Sequence, residues 1–349
     1  MTSEIVAASL EALSRGELLE EPRAYALMDS IMRGEATPVQ LAGILMALRV
    51  RGETVDELTG FARAMRDHAV AVPVHSRPLM DTCGTGGDGS QSFNVSTVAA
   101  FVVAGAGLKV AKHGNRAATS RSGSADLLEA LGVKLFTNPE DVARLIDEVG
   151  FGFLFAQSVH TSMRYAGPTR RELGVRTVFN ILGPLTNPCA PDYQLVGVFH
   201  ESWVRPVAEV LGRLGIRKAM VVHGHGGLDE VSLSGPTHYA VVDEGGVTEG
   251  VMTPDDLALP KYPPAAFQGG DPAHNAAICR HVLLEGERGP QRDLVVANAG
   301  VALYVSGQAR TLKEGVQLAE DVINEGRAAR VLEALVAASR AADRERRDA

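Results

Sequence analysis

The sequence predicts an α/β protein with two parts, a small all-helical domain and a large α/β domain with a mainly parallel central sheet. Residues 1 to about 72 carry only helical patterns of apolar residues. From residue 73 onward, short apolar runs typical of strands alternate with helical patterns, which favours a parallel sheet. Polar, glycine-rich segments follow two of the predicted strands, where ligands bind in sheets of this kind.

The composition excludes several classes of protein. The 349 residues are 45% hydrophobic and carry a formal net charge of −8, so a general nucleic-acid or membrane-surface binder, which needs a basic face, is not expected. Three widely spaced cysteines (Cys83, Cys189, Cys279) form no CxxC pair, which fits a reducing compartment and argues against a zinc site. The N-terminus has no signal-peptide pattern and no apolar run is long enough to span a bilayer. We therefore expect a cytoplasmic protein.

Two capping boxes mark helix starts in the first part of the chain. Thr37 precedes Pro38 and is followed by Gln40, just ahead of a helical apolar pattern. Thr54 and Glu57 repeat this arrangement. A small bundle of this type suits either a regulatory or a dimer-forming domain, and the pattern does not choose between them.

The later elements follow in order along the chain. The sequence predicts strands at 79–82, 108–111, 151–156, 195–199 and 219–223, with strand-like residues from 237 to 252. It predicts helices at 96–105, 124–131 and 204–214, a helix begun by Asn138-Pro139, and a mostly helical remainder to residue 342, with a solvated tail at 344–347. Residues 160–190, rich in arginine and broken by two turns, interrupt the alternation, and we expect a helix and a loop that border the site.

The first polar loop contains Gly84, Gly86 and Gly89 in a GxGxxG pattern, between a predicted strand and a predicted helix. A dinucleotide site would need an acidic residue about 20 positions on, but the nearest is Asp126, and the loop lacks the Lys-Ser/Thr ending of a P-loop. An ordinary tight turn is the simplest alternative. An anion cradle is favoured because Asp88 and several hydroxyl or amide side chains accompany the turn.

The second polar loop, Lys112-His113-Gly114-Asn115-Arg116, directly follows the predicted strand at 108–111. It has the composition of a solvated turn, but its position at the same sheet edge favours a phosphate and substrate loop with cationic groups. We expect His113 to form a local hydrogen bond and not to act as a general base.

Adjacent carboxylates at Asp229 and Glu230 follow another predicted strand. Such a pair usually points into solvent, but a divalent cation reverses that preference, and Mg²⁺ is commonly held by one or two carboxylates with waters and phosphates. His223 and His225 raise a zinc alternative, which is disfavoured because alternate strand residues point to opposite faces. The arginines of the 160–190 segment suit a small carboxylate, although each alone is typical of a helix surface.

Taken together, these motifs resemble the anthranilate phosphoribosyltransferases, of the nucleoside phosphorylase class II-like superfamily. The motifs are GTGGD at 84–88, FNVST at 93–97, KHGNRAATSRSGSAD at 112–126, RRELGVRTVFNILGPLTNP at 170–188 and VHGHGGLDE at 222–230. They occur in the family's order and spacing, and the resemblance covers essentially the whole chain. KHGNR and NILGPLTNP are highly specific. The alternative is a pyrimidine nucleoside phosphorylase, which differs in the second loop, or another phosphoribosyltransferase of the same fold.

The resemblance implies a nucleoside phosphorylase/phosphoribosyltransferase-like fold and an enzyme of tryptophan biosynthesis. The reaction would be Mg²⁺-dependent transfer of the 5-phosphoribosyl group from phosphoribosyl pyrophosphate to the amine of anthranilate, with release of pyrophosphate. It also implies a homodimer formed by a helical domain of residues 1–72 plus roughly 160–190. Residues 73–159 and 191–349 would form the α/β domain that binds phosphoribosyl pyrophosphate. The partners would be the two substrates, and neither nucleic acid nor membrane.

The family's functional residues match positions of this chain. The resemblance assigns the phosphoribosyl pyrophosphate contacts to Gly84, Gly87, Asp88, Ser92, Asn94, Val95, Ser96, Thr97, Lys112, His113, Gly114, Asn115, Arg116, Ala117, Ala118, Thr119, Ser120 and Ser124. It assigns the anthranilate contacts to Gly84, Asn115, His160, Arg170 and Gly183, and the Mg²⁺ ligands to Ser96, Asp229 and Glu230. Lys112, Asn115 and Arg170 would be the catalytic residues, with Arg170 on the anthranilate carboxylate. Val159-His160-Thr161 stands where many members have His-His-Pro, so we expect a different helix entry there.

Overall fold

The computed structural model describes residues 3–117, 121–136, 138–286 and 288–348, the last four of them by backbone alone. Within these ranges the helices are α1 (Glu4–Ser14), α2 (Glu21–Met32), α3 (Pro38–Arg51), α4 (Val55–Asp67), α5 (Val95–Gly105), α6 (Ser124–Leu131), α7 (Pro139–Val149), α8 (Ala156–Val159), α9 (Gly167–Leu173), α10 (Phe179–Leu182), α11 (Val204–Arg213), α12 (Pro272–Leu283), α13 (Pro290–Val305), α14 (Leu312–Asn324) and α15 (Arg327–Asp348). The strands are β1 (Leu79–Gly84), β2 (Lys109–Gly114), β3 (Phe151–Phe155), β4 (Tyr193–Gly197), β5 (Lys218–Gly224), β6 (Thr237–Asp243) and β7 (Gly246–Met252).

The first part of the chain is helical, as the sequence predicts, and residues 3–72 contain no strand. Both predicted capping boxes are present. The Gln40 amide N–H donates to Thr37 Oγ1 (3.3 Å), and Gln40 Oε1 accepts from the Thr37 N–H (3.0 Å). Thr54 and Glu57 make the equivalent pair at 3.2 and 2.9 Å. These reciprocal bonds satisfy donors that the first helical turn leaves free.

The described strands form one seven-stranded sheet in the order β3-β2-β1-β4-β5-β6-β7. The first five are parallel, and β6 and β7 are antiparallel, so the mainly parallel sheet is confirmed. The strand-like residues from 237 to 252 are a hairpin. The carboxyl ends of β1, β2 and β5 lie at one edge of the sheet, and the connections reverse direction around β1 and β4, where open α/β sheets bind ligands.

The sheet is covered on both faces. On β5, Met220 packs into a core with α5 and α13, while its neighbour Val221 packs into a second core with α1 to α4 and α11. This alternation follows from the two-residue period of a strand. Val178 and Leu182, from the segment that breaks the alternation, pack into the second core as well.

Several predicted boundaries were wrong. Strand β1 continues to Gly84 instead of residue 82, and β4 spans Tyr193–Gly197 instead of 195–199. Strand β2 continues to Gly114, whereas the prediction ended it at residue 111. Lys112 and His113 pair with Phe153 and Leu154 of β3 and are buried, so pairing overrides the polar character of the two side chains. The tail expected at 344–347 has helical backbone, since α15 extends to Asp348.

Candidate active site

The first polar loop joins the end of β1 to α5 and is closed against the end of β5. Gly86 adopts φ +66°, a conformation that favours glycine, and its N–H donates to Asp229 Oδ2 (2.8 Å). Asp88 Oδ1 accepts from the Ser90 N–H (3.1 Å), while Asp88 Oδ2 accepts from the Asp229 N–H (3.3 Å). The loop and the carboxylate pair therefore form one corner of the sheet edge.

The N-terminus of α5 lies at the same corner. The Ser96 N–H donates to Glu230 Oε1 (3.0 Å), and Thr97 Oγ1 donates to Ser124 Oγ (3.0 Å) at the start of α6. Asn94 Nδ2 donates to the Ser122 carbonyl (3.0 Å). The start of a helix favours anions, and here the Glu230 carboxylate occupies the Ser96 N–H, with hydroxyl groups beside it. Ser92 and Val95, also predicted for the phosphoribosyl pyrophosphate site, belong to this stretch.

The carboxylates of Asp229 and Glu230 are withdrawn from water. Asp229 is half-buried and Glu230 is 9% exposed. Burial raises the pKa of Asp229 to about 7, with a further contribution from the charge of Asp88. Burial and the charge of Asp229 raise the pKa of Glu230 to about 8. Perturbed acids of this kind mark functional sites, and a cation would favour their charged forms.

The described residues contain no group of three or more His, Cys, Asp or Glu side chains able to hold a metal ion. A cation at Asp229 and Glu230 would therefore need oxygen atoms from substrate and water, as is usual for Mg²⁺. The ring nitrogen Nδ1 of His223 lies 2.8 Å from the Val198 carbonyl oxygen, and His225 is exposed on the adjoining turn. The zinc alternative therefore has no support in the described part of the chain.

Lys112 is buried between β1 and the start of α5. Its Nζ donates to the Thr82 carbonyl and to Ser96 Oγ (3.4 Å). Burial lowers the pKa of Lys112, whereas the charge of Asp81 raises it. The cation thus lies beside the anion-binding N-terminus of α5.

His113 and His160 bring the end of β2 against the segment after β3. Their rings meet edge to face with centroids 5.0 Å apart, and His113 Nδ1 lies 3.2 Å from the Gly183 carbonyl oxygen. Burial lowers the pKa of His113 to about 3, helped by His160, and lowers that of His160 to about 4. Both Nε2 atoms are buried without a hydrogen-bond partner among the described residues. Both rings are therefore neutral near pH 7.

Arg170 lies on α9 and packs against Phe179 of α10. Its guanidinium lies over the Phe179 ring, 4.9 Å from the centroid, and has no hydrogen bond or ion pair within the described ranges. Burial lowers the pKa of Arg170. Asn115 is exposed, and its Oδ1 accepts from the Arg116 N–H (2.8 Å). No hydrogen bond among the described residues joins Arg170 to Asn115 or Gly84.

The remaining predicted residues lie around the second loop. The Arg116 side chain points to α6, where it pairs with Asp126 (3.0 Å) and Glu129 (2.5 Å). The Ala117 N–H donates to Asp126 Oδ2 (2.9 Å). Gly87 accepts a hydrogen bond from Arg176, and Gly114 ends β2. Ala118, Thr119 and Ser120 lie outside the described residues.

Two sets of contacts escaped sequence reasoning. Asn187 Nδ2 donates to Asp81 Oδ2 (2.9 Å) and to the Ala111 carbonyl (2.8 Å), while Asp81 Oδ1 accepts from the His113 N–H (3.3 Å). This buried network fixes the end of β2, and its only signals were an acid within an apolar strand and the NILGPLTNP motif. Arg176, which belongs to the motif at 170–188, lies over the Phe199 ring (4.5 Å), a contact that the motif did not indicate.

Two surface grooves lie away from this site. One, of about 440 Å³, is lined by Glu21, Pro22, Tyr25, Arg63 and Asp67 on the helical part. The other, of about 470 Å³, is lined by Leu131, Arg280, Leu284, Leu332, Glu333, Val336, Ala337, Arg340 and Arg344. Neither contains a predicted site residue, so the convergence of polar groups at the sheet edge, and not groove volume, locates the candidate site.

Comparison with known proteins identifies the family. Residues 76–329 match the glycosyl transferase family, a/b domain, and residues 8–69 match its helical bundle domain. The chain is 54% identical over 327 residues to the anthranilate phosphoribosyltransferase of Symbiobacterium thermophilum, covering 93% of this chain and 95% of that protein. The chain belongs to the anthranilate phosphoribosyltransferase family.

Solved structures of the anthranilate phosphoribosyltransferase family share the fold. The enzyme from Thermus thermophilus is 49% identical and superposes with a TM-score of 0.89, covering 95% of this chain and 99% of that chain. The Saccharomyces cerevisiae enzyme in complex with phosphoribosyl pyrophosphate (PRPP) and Mg is 30% identical, with a TM-score of 0.87 and coverage of 97% and 99%. The family's two-part architecture, helical bundle plus α/β domain, is that of the present chain.

Proposed function

We propose that this chain transfers the 5-phosphoribosyl group from PRPP to the amine of anthranilate and releases pyrophosphate, a step of tryptophan biosynthesis. One observation carries the proposal beyond family membership. The glycine loop, the N-terminus of α5 and the Asp229-Glu230 pair converge at one sheet edge through the Gly86–Asp229 and Ser96–Glu230 hydrogen bonds. Backbone N–H groups beside carboxylates suit a polyphosphate that binds together with a divalent cation.

PRPP would occupy the sheet edge between the two loops. Its phosphates would lie at the glycine loop and the start of α5, and would replace the Asp229 and Glu230 carboxylates as acceptors of the Gly86 and Ser96 N–H groups. Lys112 would supply a buried positive charge nearby. The Thr97–Ser124 hydrogen bond (3.0 Å) supports a shared site, since it joins the start of α5 to the end of the second loop.

The same corner fits Mg²⁺. Asp229 and Glu230, with Ser96 beside them, would hold the ion, and the two raised pKa values express the cost of burying adjacent acids without it. Mg²⁺, when bound, neutralises charge on a phosphate leaving group. The solved Saccharomyces cerevisiae relative contains PRPP and Mg, which supports this assignment.

Anthranilate would lie between Asn115 and Arg170. The Arg170 guanidinium has no hydrogen-bond or ion-pair partner within the described ranges, so it is free to pair with a carboxylate. The neutral rings of His113 and His160 offer an uncharged surface for an aromatic substrate. A relative from Saccharomyces cerevisiae has been solved with 4-fluoroanthranilate, which supports an aromatic acceptor of this class.

The reaction depends more on the alignment of the anthranilate nitrogen with C1 of the ribose than on proton transfer. The anthranilate nitrogen forms a bond to C1 of the ribose while the bond from C1 to the pyrophosphate oxygen breaks, and the amine then loses a proton to water. Anthranilate is a free amine near neutral pH, so no strong general base is required. Arg170 and Asn115 would align the nitrogen with C1, and the N–H groups and Lys112 would stabilise the growing negative charge.

A homodimer formed by a helical domain of residues 1–72 and roughly 160–190 completes the proposal. Within the second segment, Leu185 accepts a hydrogen bond from Arg66 of α4 (2.7 Å). Helix α3 is apolar on two faces, because its buried leucines and isoleucine are opposed by Val39 and Val50, each 82% exposed. A helix with apolar side chains on two opposite faces is suited to packing on both sides.

The proposed dimer can be tested by introducing a charged side chain on the exposed face of α3. Val39→Glu is expected to weaken self-association by at least about tenfold, because a charge in an apolar interface loses its hydration. Analytical ultracentrifugation measures the change. The control is Val251→Glu, at an exposed valine (54%) of β7, which should sediment like the wild type. Equal sedimentation of both variants would exclude α3 from the interface.

The reaction is tested by the loss of anthranilate fluorescence after addition of PRPP and Mg²⁺. We expect turnover that needs all three components. A nucleoside phosphorylase would instead cleave nucleosides in the presence of inorganic phosphate, so pyrimidine nucleosides with phosphate form the second arm. Nucleoside cleavage without anthranilate consumption would replace the proposed reaction by the alternative.

A further inference from the structure

After the second polar loop the chain returns to α6, and the residues on the two sides of this return lie close together. We call these residues the neck: Arg116, Ala117, Gly123, Asp126 and Glu129. Asp126 Oδ2 accepts from the Ala117 N–H (2.9 Å) and from the Gly123 N–H (2.9 Å). One carboxylate oxygen therefore holds both ends of the intervening segment. A Cβ on residue 123 would lie 2.4 Å from the Ala117 nitrogen, so only glycine permits this approach.

Arg116 completes the neck from the side of α6. Its Nη1 and Nη2 bond the two oxygens of Glu129 at 2.5 and 2.9 Å, and Nη1 also bonds Asp126 Oδ1 (3.0 Å). The guanidinium lies 5.6 Å from the centroid of the Phe155 ring. To reach a phosphate, this side chain would have to leave a two-point carboxylate pair and a second charge-assisted bond. With one cation and two carboxylates, the neck itself is no anion site.

The neck is also connected to the proposed phosphate site at the start of α5. Ser124, next to Gly123, accepts from Thr97 Oγ1 (3.0 Å) at the start of α5. The Asn115 carbonyl accepts from the Ala125 N–H (3.2 Å), which ties the end of β2 to the first turn of α6. A change in the neck would therefore shift the second loop relative to the glycine loop.

We propose that Arg116, Asp126 and Glu129 are positioning residues for PRPP binding, and that the Arg116 guanidinium acts on α6 and not on a phosphate. They hold Ala117 and Gly123 together, so that Asn115 and Ser124, on the two sides of the neck, meet the phosphates in a preformed arrangement. Preorganisation of this kind lowers the entropy cost of ordering a loop around its ligand. This inference rests on the proposed function for its ligand.

A double-mutant cycle on Arg116→Gln and Glu129→Gln separates the two roles of Arg116. We expect each variant to raise the KM for PRPP about threefold to fivefold, with kcat and the anthranilate KM nearly unchanged. The double variant should match Arg116→Gln, because Glu129 has no contact left to lose in the neck once the guanidinium is gone. Asp126→Asn should raise the KM more, about tenfold, because it also weakens the bonds to two backbone N–H groups.

The opposite pattern would overturn the inference. If Arg116 bound a phosphate directly, Arg116→Gln would raise the KM strongly while Glu129→Gln behaved like the wild type. Arg205 and Glu209 provide a matched control, since they form an exposed pair on α11 at 2.7 Å. Arg205→Gln and Glu209→Gln should leave both KM values unchanged.

Hydrogen–deuterium exchange of the substrate-free protein tests the neck without any turnover. Peptides covering residues 112–127 should exchange faster in Asp126→Asn and Arg116→Gln than in the wild type, because the hydrogen bonds of the Ala117 and Gly123 amides are weakened directly or lose the support of Arg116. Unchanged exchange in both variants would show that Arg116 and Asp126 do not hold this loop in place. If the wild type failed to consume anthranilate, the proposed function would be refuted. The exchange result would still show whether Arg116 and Asp126 hold the loop in place.

Discussion

The two ends of the candidate site are built on different physical principles. The proposed phosphate end, made of the glycine loop, the start of α5 and Asp229-Glu230, contains backbone N–H groups and buried charges. The proposed acceptor end, with His113, His160, Gly183 and Arg170, contains neutral rings and one cation stacked on an aromatic ring. A polyanion is recognised by many fixed dipoles, whereas an aromatic acid needs an uncharged wall and a single counter-charge.

The largest expected effect lies at the phosphate end. Asp229→Asn combined with Glu230→Gln should reduce Mg²⁺-dependent turnover by at least about a thousandfold, since the ion and its stabilisation of the leaving group are lost together. Initial rates across a Mg²⁺ titration measure this. The control is Asp243→Asn with Glu244→Gln, an exposed adjacent pair in the β6–β7 turn, which should titrate like the wild type. Wild-type metal dependence in the first variant would remove the pair from the site.

The acceptor end is tested by Arg170→Ala. Loss of a charge-assisted bond to the carboxylate should raise the KM for anthranilate by up to about a hundredfold and leave the KM for PRPP unchanged. Steady-state kinetics with each substrate varied in turn separates the two constants. Arg171→Ala, next to it on α9 and exposed, should behave like the wild type. If both constants rose equally, Arg170 would belong to the general fold of the site and not to the acceptor end.

The neutral histidines predict a pH dependence of stability. Unfolded histidine titrates near 6.5, whereas the pKa of folded His160 is about 4. Between these values the unfolded chain binds a proton that the folded chain does not, so the free energy of unfolding falls as the pH falls. At pH 5 this loss is on the order of 2 kcal/mol.

Urea unfolding of His160→Gln at pH 7 and pH 5 measures this contribution. The variant should lose less stability between the two pH values than the wild type, by the amount given above. His281→Gln, at an exposed position of α12, should keep the wild-type acid sensitivity. An equal loss in His160→Gln and wild type would show that the acceptor end carries a charged ring.

The smallest effect concerns the backbone of the phosphate end. In Gly86→Ala the added Cβ would meet no atom within 4 Å. The residue would still have to adopt φ +66°, which costs about 1 kcal/mol for a residue with a Cβ. We expect the KM for PRPP to rise up to about fivefold. Gly16→Ala, with φ +78° and equally open space outside the site, should leave the KM unchanged. Equal KM values would mean that the loop does not need this conformation to bind phosphates.

The predicted elements and the observed ones agree best where local chemistry suffices. Capping residues such as Thr37 and Thr54 define helix starts in the chain and in the structure alike, because they satisfy donors within their own first turn. The end of β2 was predicted wrongly because Lys112 and His113 are polar, and only pairing with β3 and the Asp81–Asn187 network keep them in the strand. The hairpin of β6 and β7 was predicted as one undivided strand-like stretch, although its tight turn at residues 244–245 is local.

The motifs at the ends of the strands were readable in the chain because phosphate loops need glycine, hydroxyl groups and charge within a few consecutive residues. The way in which these motifs come together in space could not be predicted from the chain. Asp229 reaches Gly86 across 143 residues and Glu230 reaches Ser96 across 134. The direction of Arg116 toward α6, the meeting of His113 with His160 and the burial of Lys112 likewise come from packing between distant segments. Local sequence thus specified which groups are available, and the fold decided which of them meet.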